Sequence, residues 1–260
     1  MKYLRLWKRL AVMSFGVQAA SPLSSICYLL GKLVRLGFFF IFLIAIFHHT
    51  NAIVGYTFEE AALFFLTFNL VDILAQLFFR GIYGIRGLIR EGEYDYYLIQ
   101  PANVLYRVAF NTVDFLDVLT VLPVIALLWI MMRRIGGAWT FPHLFLYLAL
   151  AFNGLLIAFA IHIAVAALAV WTQEMENTIW IYRDLMTLGR FPSDIYAAPM
   201  RRLLTFVVPI AVMISFPPKA YLGRLPARSC VEAIAIAVAS VVLSLQFWSF
   251  ANRRYSSVSS

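Results

Sequence analysis

The side chains best able to do chemistry in this chain are a few polar groups set into apolar sequence. Asp72 lies near the middle of one apolar run with Asn69 one turn before it, and Asp114 and Asp117 open the next at helical spacing. With His162 in a later run they could relay protons. An aspartate facing lipid costs roughly 2.5–3.5 kcal/mol, so Asp72 is expected to face a bundle interior, pair, or be protonated. The plainer reading makes these groups helix-packing contacts, with Asp114 and Asp117 close enough to the interface to be partly solvated. His48, His49 and His143 lie at or near span ends, which suits polar anchoring better than metal ligation. Cys27 and Cys230 are far apart with no CxxC spacing and read as small apolar fillers.

Motifs for catalysis are missing. Gly31-Lys32 lacks both the upstream glycine and the following hydroxyl of a phosphate loop. HExxH, G-x-S-x-G and a Gly-rich dinucleotide turn are absent too. The chain is therefore expected not to be an enzyme, and to bind no metal or cofactor itself.

A second polar stretch, EGEYDYYLIQPANVLYR at 91–107, suits docking rather than catalysis. Gly92 can end a helix running down from the preceding span, and Pro101 can fix the exit of the next element. Between them Tyr94, Tyr97 and Leu98 share a helical face, with Glu91, Glu93 and Asp95 supplying charge. Tyrosine, apolar in the body and polar at the tip, serves interfaces well.

The elements that must hold these groups are membrane spans. The chain is 63% hydrophobic and 13% charged, unlike a soluble domain. Apolar runs at Leu36–Phe47, Ala61–Phe79, Val108–Met132, His143–Trp171 and Val231–Phe250 approach or reach the ~20 residues that cross a bilayer. The first does so only by including Cys27–Arg35, with Lys32 and Arg35 snorkelling towards headgroups. The expected fold is an all-α polytopic membrane protein forming one domain over 1–260. Residues 3–20 read as an interfacial amphipathic helix, with Tyr3, Leu6, Trp7, Leu10, Met13 and Val17 on one face and Lys2, Arg5, Lys8 and Arg9 off it. The net charge of +8 then points to anionic lipid rather than nucleic acid.

Positive-inside counting puts the N-terminus, residues 80–107 and the C-terminus with Arg253 and Arg254 in the cytoplasm. The loop His48–Glu60, without Lys or Arg, falls outside; an even number of spans is needed and six fits. Residues 172–230, broken by Pro192, Pro199, Pro209, Pro217, Pro218 and Pro226, allow two solutions. In one, 177–190 is a short fifth span and 191–225 folds back as re-entrant helices on the outer side. In the other, 172–202 stays in the cytoplasm and the fifth span starts at Leu203, which charge counting favours.

Three segments carry a resemblance: LIREGEYDYYLIQPANVLYR (88–107), LGRFPSDIYAAPMRRLLTFVVPIAVMISFPPKAYLGR (188–224) and the tail NRRYSSVSS (252–260). Together they resemble the permease subunit of type-2 ABC exporters, in the branch ending in an Arg-Arg-Tyr-Ser-Ser tail. Gln100 departs from the basic residue usual there, and Pro-Pro-Lys-Ala at 217–220 replaces Tyr-Pro-Ala.

The resemblance implies a translocation pathway formed with a second permease subunit, alike or related, in the bacterial inner membrane. Separate ABC ATPase subunits would bind ATP and Mg. The loop within 80–107 would form a coupling helix on the ATPase, and 191–225 would re-enter from outside to help close an outer gate. A proton-coupled transporter or channel using the intramembrane carboxylates is the competing function.

Overall fold

The structure is a computed structural model that describes residues 2–136, 140–173 and 178–257; the last three residues of the tail motif lie outside them. Among the described residues it is helical throughout, with only an isolated β-bridge between Ile53 and Tyr56. Five helices are long and apolar enough to cross a membrane, and a sixth candidate is a helix pair bent by 90°. The long ones are α2 (Pro22–His49), α3 (Phe58–Phe79), α7 (Phe115–Arg134), α8 (Phe141–Thr172) and α12 (Ala227–Arg254). α1 (Lys2–Ala19) precedes them.

The axis of the bundle is α3. Thr57 and Glu60 close a reciprocal capping box at its N-terminus, satisfying two otherwise unpaired donors. Nearly every side chain along it is buried, against α7 on one side and α8 on the other. α8 pairs in turn with α12. By contrast α2 buries only Leu43 fully and lies on the periphery.

From α3 the chain descends through a 3-10 turn (Arg80–Gly84) and α4 (Ile85–Arg90). Gly92, at φ 73°, reverses it into α5 (Glu93–Ile99), a left-handed backbone that glycine adopts without a Cβ penalty. α5 stops at Gln100, which is extended as a residue before proline should be. α6 (Val104–Ala109) is capped by Asn103 and α7 by Asp114, so the apolar run from Val108 is broken by a cap just before the third long helix. At Gly81 an added Cβ would collide with the Val108 carbonyl, so the two strands of this loop meet at backbone contact.

After α8, α9 (Thr178–Met186) continues through 3-10 turns to Ile195. Arg183 stacks 6.0 Å from Tyr83, just past the lower end of α3, whereas Asp194 meets Tyr56 beside its upper end. This stretch therefore runs the length of α3. α10 (Ala198–Arg202) and the π-helical turn Leu203–Val207 form the first arm of the bent pair; a second π-helical turn (Ala211–Ser215) and α11 (Phe216–Tyr221) form the other. Pro209 sits at the bend, while Pro199, Pro217 and Pro218 occupy first helical turns, where a missing N–H costs nothing. Arg224 then reaches Glu60 and the Gly55 carbonyl, so the pair begins and ends at the Tyr56 end of α3. That disagrees with the charge count, which would keep 172–202 at the opposite end. The contacts decide it: Asp194 is held by Tyr56 and Lys219 and pairs with Arg201, which ties the end of this stretch to the Tyr56 end of α3.

Candidate functional site

Around α5 the chain builds a platform from residues far apart in sequence. Tyr94 is fully buried and donates to Asn252 Oδ1 at 2.5 Å, while its ring meets Tyr255 edge-on at 5.0 Å. Asp95 accepts from Tyr255 Oη at 3.0 Å and from Ser257 Oγ at 2.5 Å. Gln173 donates to the Ser256 carbonyl at 2.8 Å, fastening the tail to the end of α8. Burial pushes the Tyr94 phenol up, and burial followed by the hydrogen bond to Asp95 pushes Tyr255 up to about 12. Both hydroxyls thus stay protonated donors through the physiological range.

Tyr97 is buried as well, with the Arg107 guanidinium 4.2 Å over its ring. The inward face of α5 is therefore Tyr94 and Tyr97, with Asp95 held by the tail. What α5 leaves exposed is Tyr96 (64%), Leu98 and Ile99 (80%), flanked by Glu91, Glu93, Gln100 and Pro101. Sequence reasoning put Tyr94, Tyr97 and Leu98 together and passed over Tyr96 and Ile99. Only Leu98 of that set is exposed, because Asn252, 158 residues away, claims Tyr94 and the nearby Arg107 covers Tyr97.

The intramembrane polar groups are also paired rather than free. Lys32 forms an ion pair with fully buried Asp117, and Arg80 pairs with Asp114 at 2.6 Å while donating to Tyr28 Oη. Asp72 accepts from Gln76 at 2.9 Å, with Arg35 at 4.0 Å. Asn69 donates to the Phe65 carbonyl. Two expectations change. Asp114 and Asp117 are 2% and 0% exposed, not partly solvated. Lys32 turns inward onto Asp117 instead of snorkelling, while Arg35, about half-exposed, stands 4.0 Å from Asp72. α1 completes the seal: Gln18 donates to Asp114 and the Val113 carbonyl, and Ser14 accepts from the Val113 N–H.

His162 is buried with Nδ1 against the Ala158 carbonyl and Tyr182 and Phe79 around its ring. Among the described residues no hydrogen bond links it to Asp72, Asp114 or Asp117, and no cluster of His, Cys, Asp or Glu could hold a metal ion.

At the opposite end Asp194 is the hub. It accepts from Tyr56 Oη at 2.7 Å and pairs with Lys219 at 2.8 Å and Arg201 at 3.5 Å. The second arm of the bent pair is core: Ile210–Ile214 are buried, and at Gly154 of α8 an added Cβ would stand 2.6 Å from the Met213 carbonyl. The first arm leaves Met200, Leu203, Phe206 and Val207 exposed. Pro192 and Pro209 are buried and Pro199 is exposed.

Helices of span length packed around a buried helical axis describe a membrane protein. No curated protein and no solved structure matches the chain. Residues 33–259, most of the chain, match the family model described as ABC-2 family transporter protein. On that match and the span-length helices, the chain belongs to the membrane proteins of the ABC-2 transporter family.

Proposed function

We propose that this chain is the permease subunit of an ATP-driven exporter, coupled through α5 to a separate ABC ATPase that binds ATP and Mg. The observation that carries the reading is the build of α5. It is held from within by Tyr94, Asp95 and Tyr97 while presenting Tyr96, Leu98 and Ile99 outward. A helix fixed to both α12 and the foot of α3 can transmit a push to two spans at once. An exposed aromatic and aliphatic trio on a rigid base is suited to fill a pocket on a partner.

Six crossings fit this arrangement: α2, α3, α7, α8, the stretch Thr178–Phe191, and α12. On this count the bent pair is re-entrant rather than a span, since both of its ends lie by Tyr56 and Glu60. Both termini then share the α5 end, where Arg86, Arg90, Arg107, Arg253 and Arg254 also gather, which positive-inside counting assigns to the cytoplasm of a bacterial inner membrane. α1 lies along that interface, with Ala11, Ser14 and Gln18 turned to the protein and Val12, Met13 and Val17 left for lipid. A second permease copy or relative would complete the pathway.

Purification in mild detergent tests the reading. A soluble ATP-binding protein should accompany the chain, and flux in vesicles should require ATP. Flux that persists without ATP and collapses with the proton gradient would instead favour the proton-coupled function.

A further inference from the structure

Between α1 and the loop after α5 lies an open pocket of about 430 Å³ walled by Arg5, Arg9, Arg107, Leu6, Gln100 and Ala102. Three arginines from two distant segments line it. Some arginines of this chain find carboxylates: Arg80 has Asp114, Arg224 has Glu60 and Arg228 has Glu232. Among the described residues Arg5, Arg9 and Arg107 have none. Arg107 is the more telling, because its Nε and Nη1 are buried without any hydrogen-bond acceptor and its charge is held only against the Tyr97 ring. Three positive charges gathered around one opening, with no carboxylate among its lining residues, make a potential that attracts an anion.

We infer that this pocket binds an anionic phosphate group, as carried by an acidic phospholipid headgroup. Planar guanidinium forks match phosphate oxygens better than they match a point acceptor, and Gln100 places an amide donor on the same wall. Its setting fits headgroup depth. Tyr106 donates to the Tyr3 carbonyl and the two rings lie 4.8 Å apart, an aromatic pair of the kind that settles at the membrane interface. Leu6 supplies an apolar wall for the glycerol side of such a lipid. The inference needs α1 to lie at the membrane surface but does not depend on an ATPase docking at α5.

The test is native mass spectrometry of the full chain in mild detergent, titrated with dioctanoyl-phosphatidylglycerol or dioctanoyl-phosphatidylcholine. Phosphatidylglycerol should saturate at one bound lipid per chain and be retained at least about tenfold over phosphatidylcholine, whose choline cation opposes the arginines. At roughly fivefold per basic residue near the lipid, Arg107→Gln should weaken retention about fivefold and the exposed pair Arg5→Gln with Arg9→Gln about 25-fold. The double variant keeps the test sound if Arg107→Gln perturbs folding. Inorganic phosphate at millimolar concentration supplies the other arm. If it displaces the lipid, the site also takes free phosphate; if it does not, the lipid headgroup is the ligand, and the phosphate site stands in both cases. Equal retention of the two lipids, or retention of phosphatidylglycerol unchanged in both arginine variants, would overturn the proposal.

Discussion

The two ends of this bundle solve the same problem with different chemistry. Each carries a short broken segment pinned by a tyrosine hydroxyl donating to an aspartate: Tyr255 to Asp95 below, Tyr56 to Asp194 above. At the upper end the aspartate also neutralises Lys219 and Arg201, and the segment behind it packs into the core against α8. At the lower end Asp95 has no cation in its set of hydroxyl partners, and the helix it belongs to turns Tyr96 and Ile99 to solvent. One end is locked by charge and core packing. The other is held by hydrogen bonds from hydroxyls to a carboxylate, roughly 1.5–3 kcal/mol each, which a rigid-body movement can carry without breaking an ion pair.

Substitutions can break that contrast in order of size. Gly154→Leu should be the most damaging, costing about 3 kcal/mol or more in thermal denaturation in detergent, because the Met213 backbone leaves no room for a side chain. Asp194→Ala should cost about 2 kcal/mol. It leaves Lys219, 12% exposed, with Ser193 as its remaining partner. Adding Lys219→Met should recover most of that loss, since the unpaired cation is its cause. Tyr255→Phe should cost about 1.5 kcal/mol and act locally, raising amide hydrogen exchange within α5 more than it lowers the global melting point. Tyr96→Ala with Ile99→Ala, both exposed, should stay within about 0.5 kcal/mol of the parent. An equal loss of stability for Tyr255→Phe and Asp194→Ala would erase the distinction between the two ends.

What could be read from the sequence follows what is local. The five long helices announce themselves as apolar runs, and Gly92 and Pro101 bracket α5 because left-handed φ and a pre-proline extension are properties of single residues. The stretch Thr178–Phe191 is harder, since it is cut by 3-10 turns and carries Arg190, whose charge rests over the Phe68 ring of α3. Hydropathy leaves it as one of the two solutions the sequence allows for 172–230. The face of α5 was illegible for another reason. Helical spacing puts Tyr94 and Tyr97 on one side, but Asn252 and Tyr255 over Tyr94 and Arg107 over Tyr97 decide that this side is buried. Lys32 likewise looks like a snorkelling cation until Asp117 on α7 is placed beside it.

The coupling role of α5 is tested most directly by copurification with the ATPase in mild detergent, comparing the parent chain, Tyr96→Ala with Ile99→Ala, and Tyr94→Phe. The exposed-face variant should keep its fold and lose the ATPase at least about tenfold, as expected when interface anchors are truncated, whereas Tyr94→Phe should retain most of it. Full ATPase stoichiometry on the Tyr96 and Ile99 variant would contradict the account and place the docking surface elsewhere.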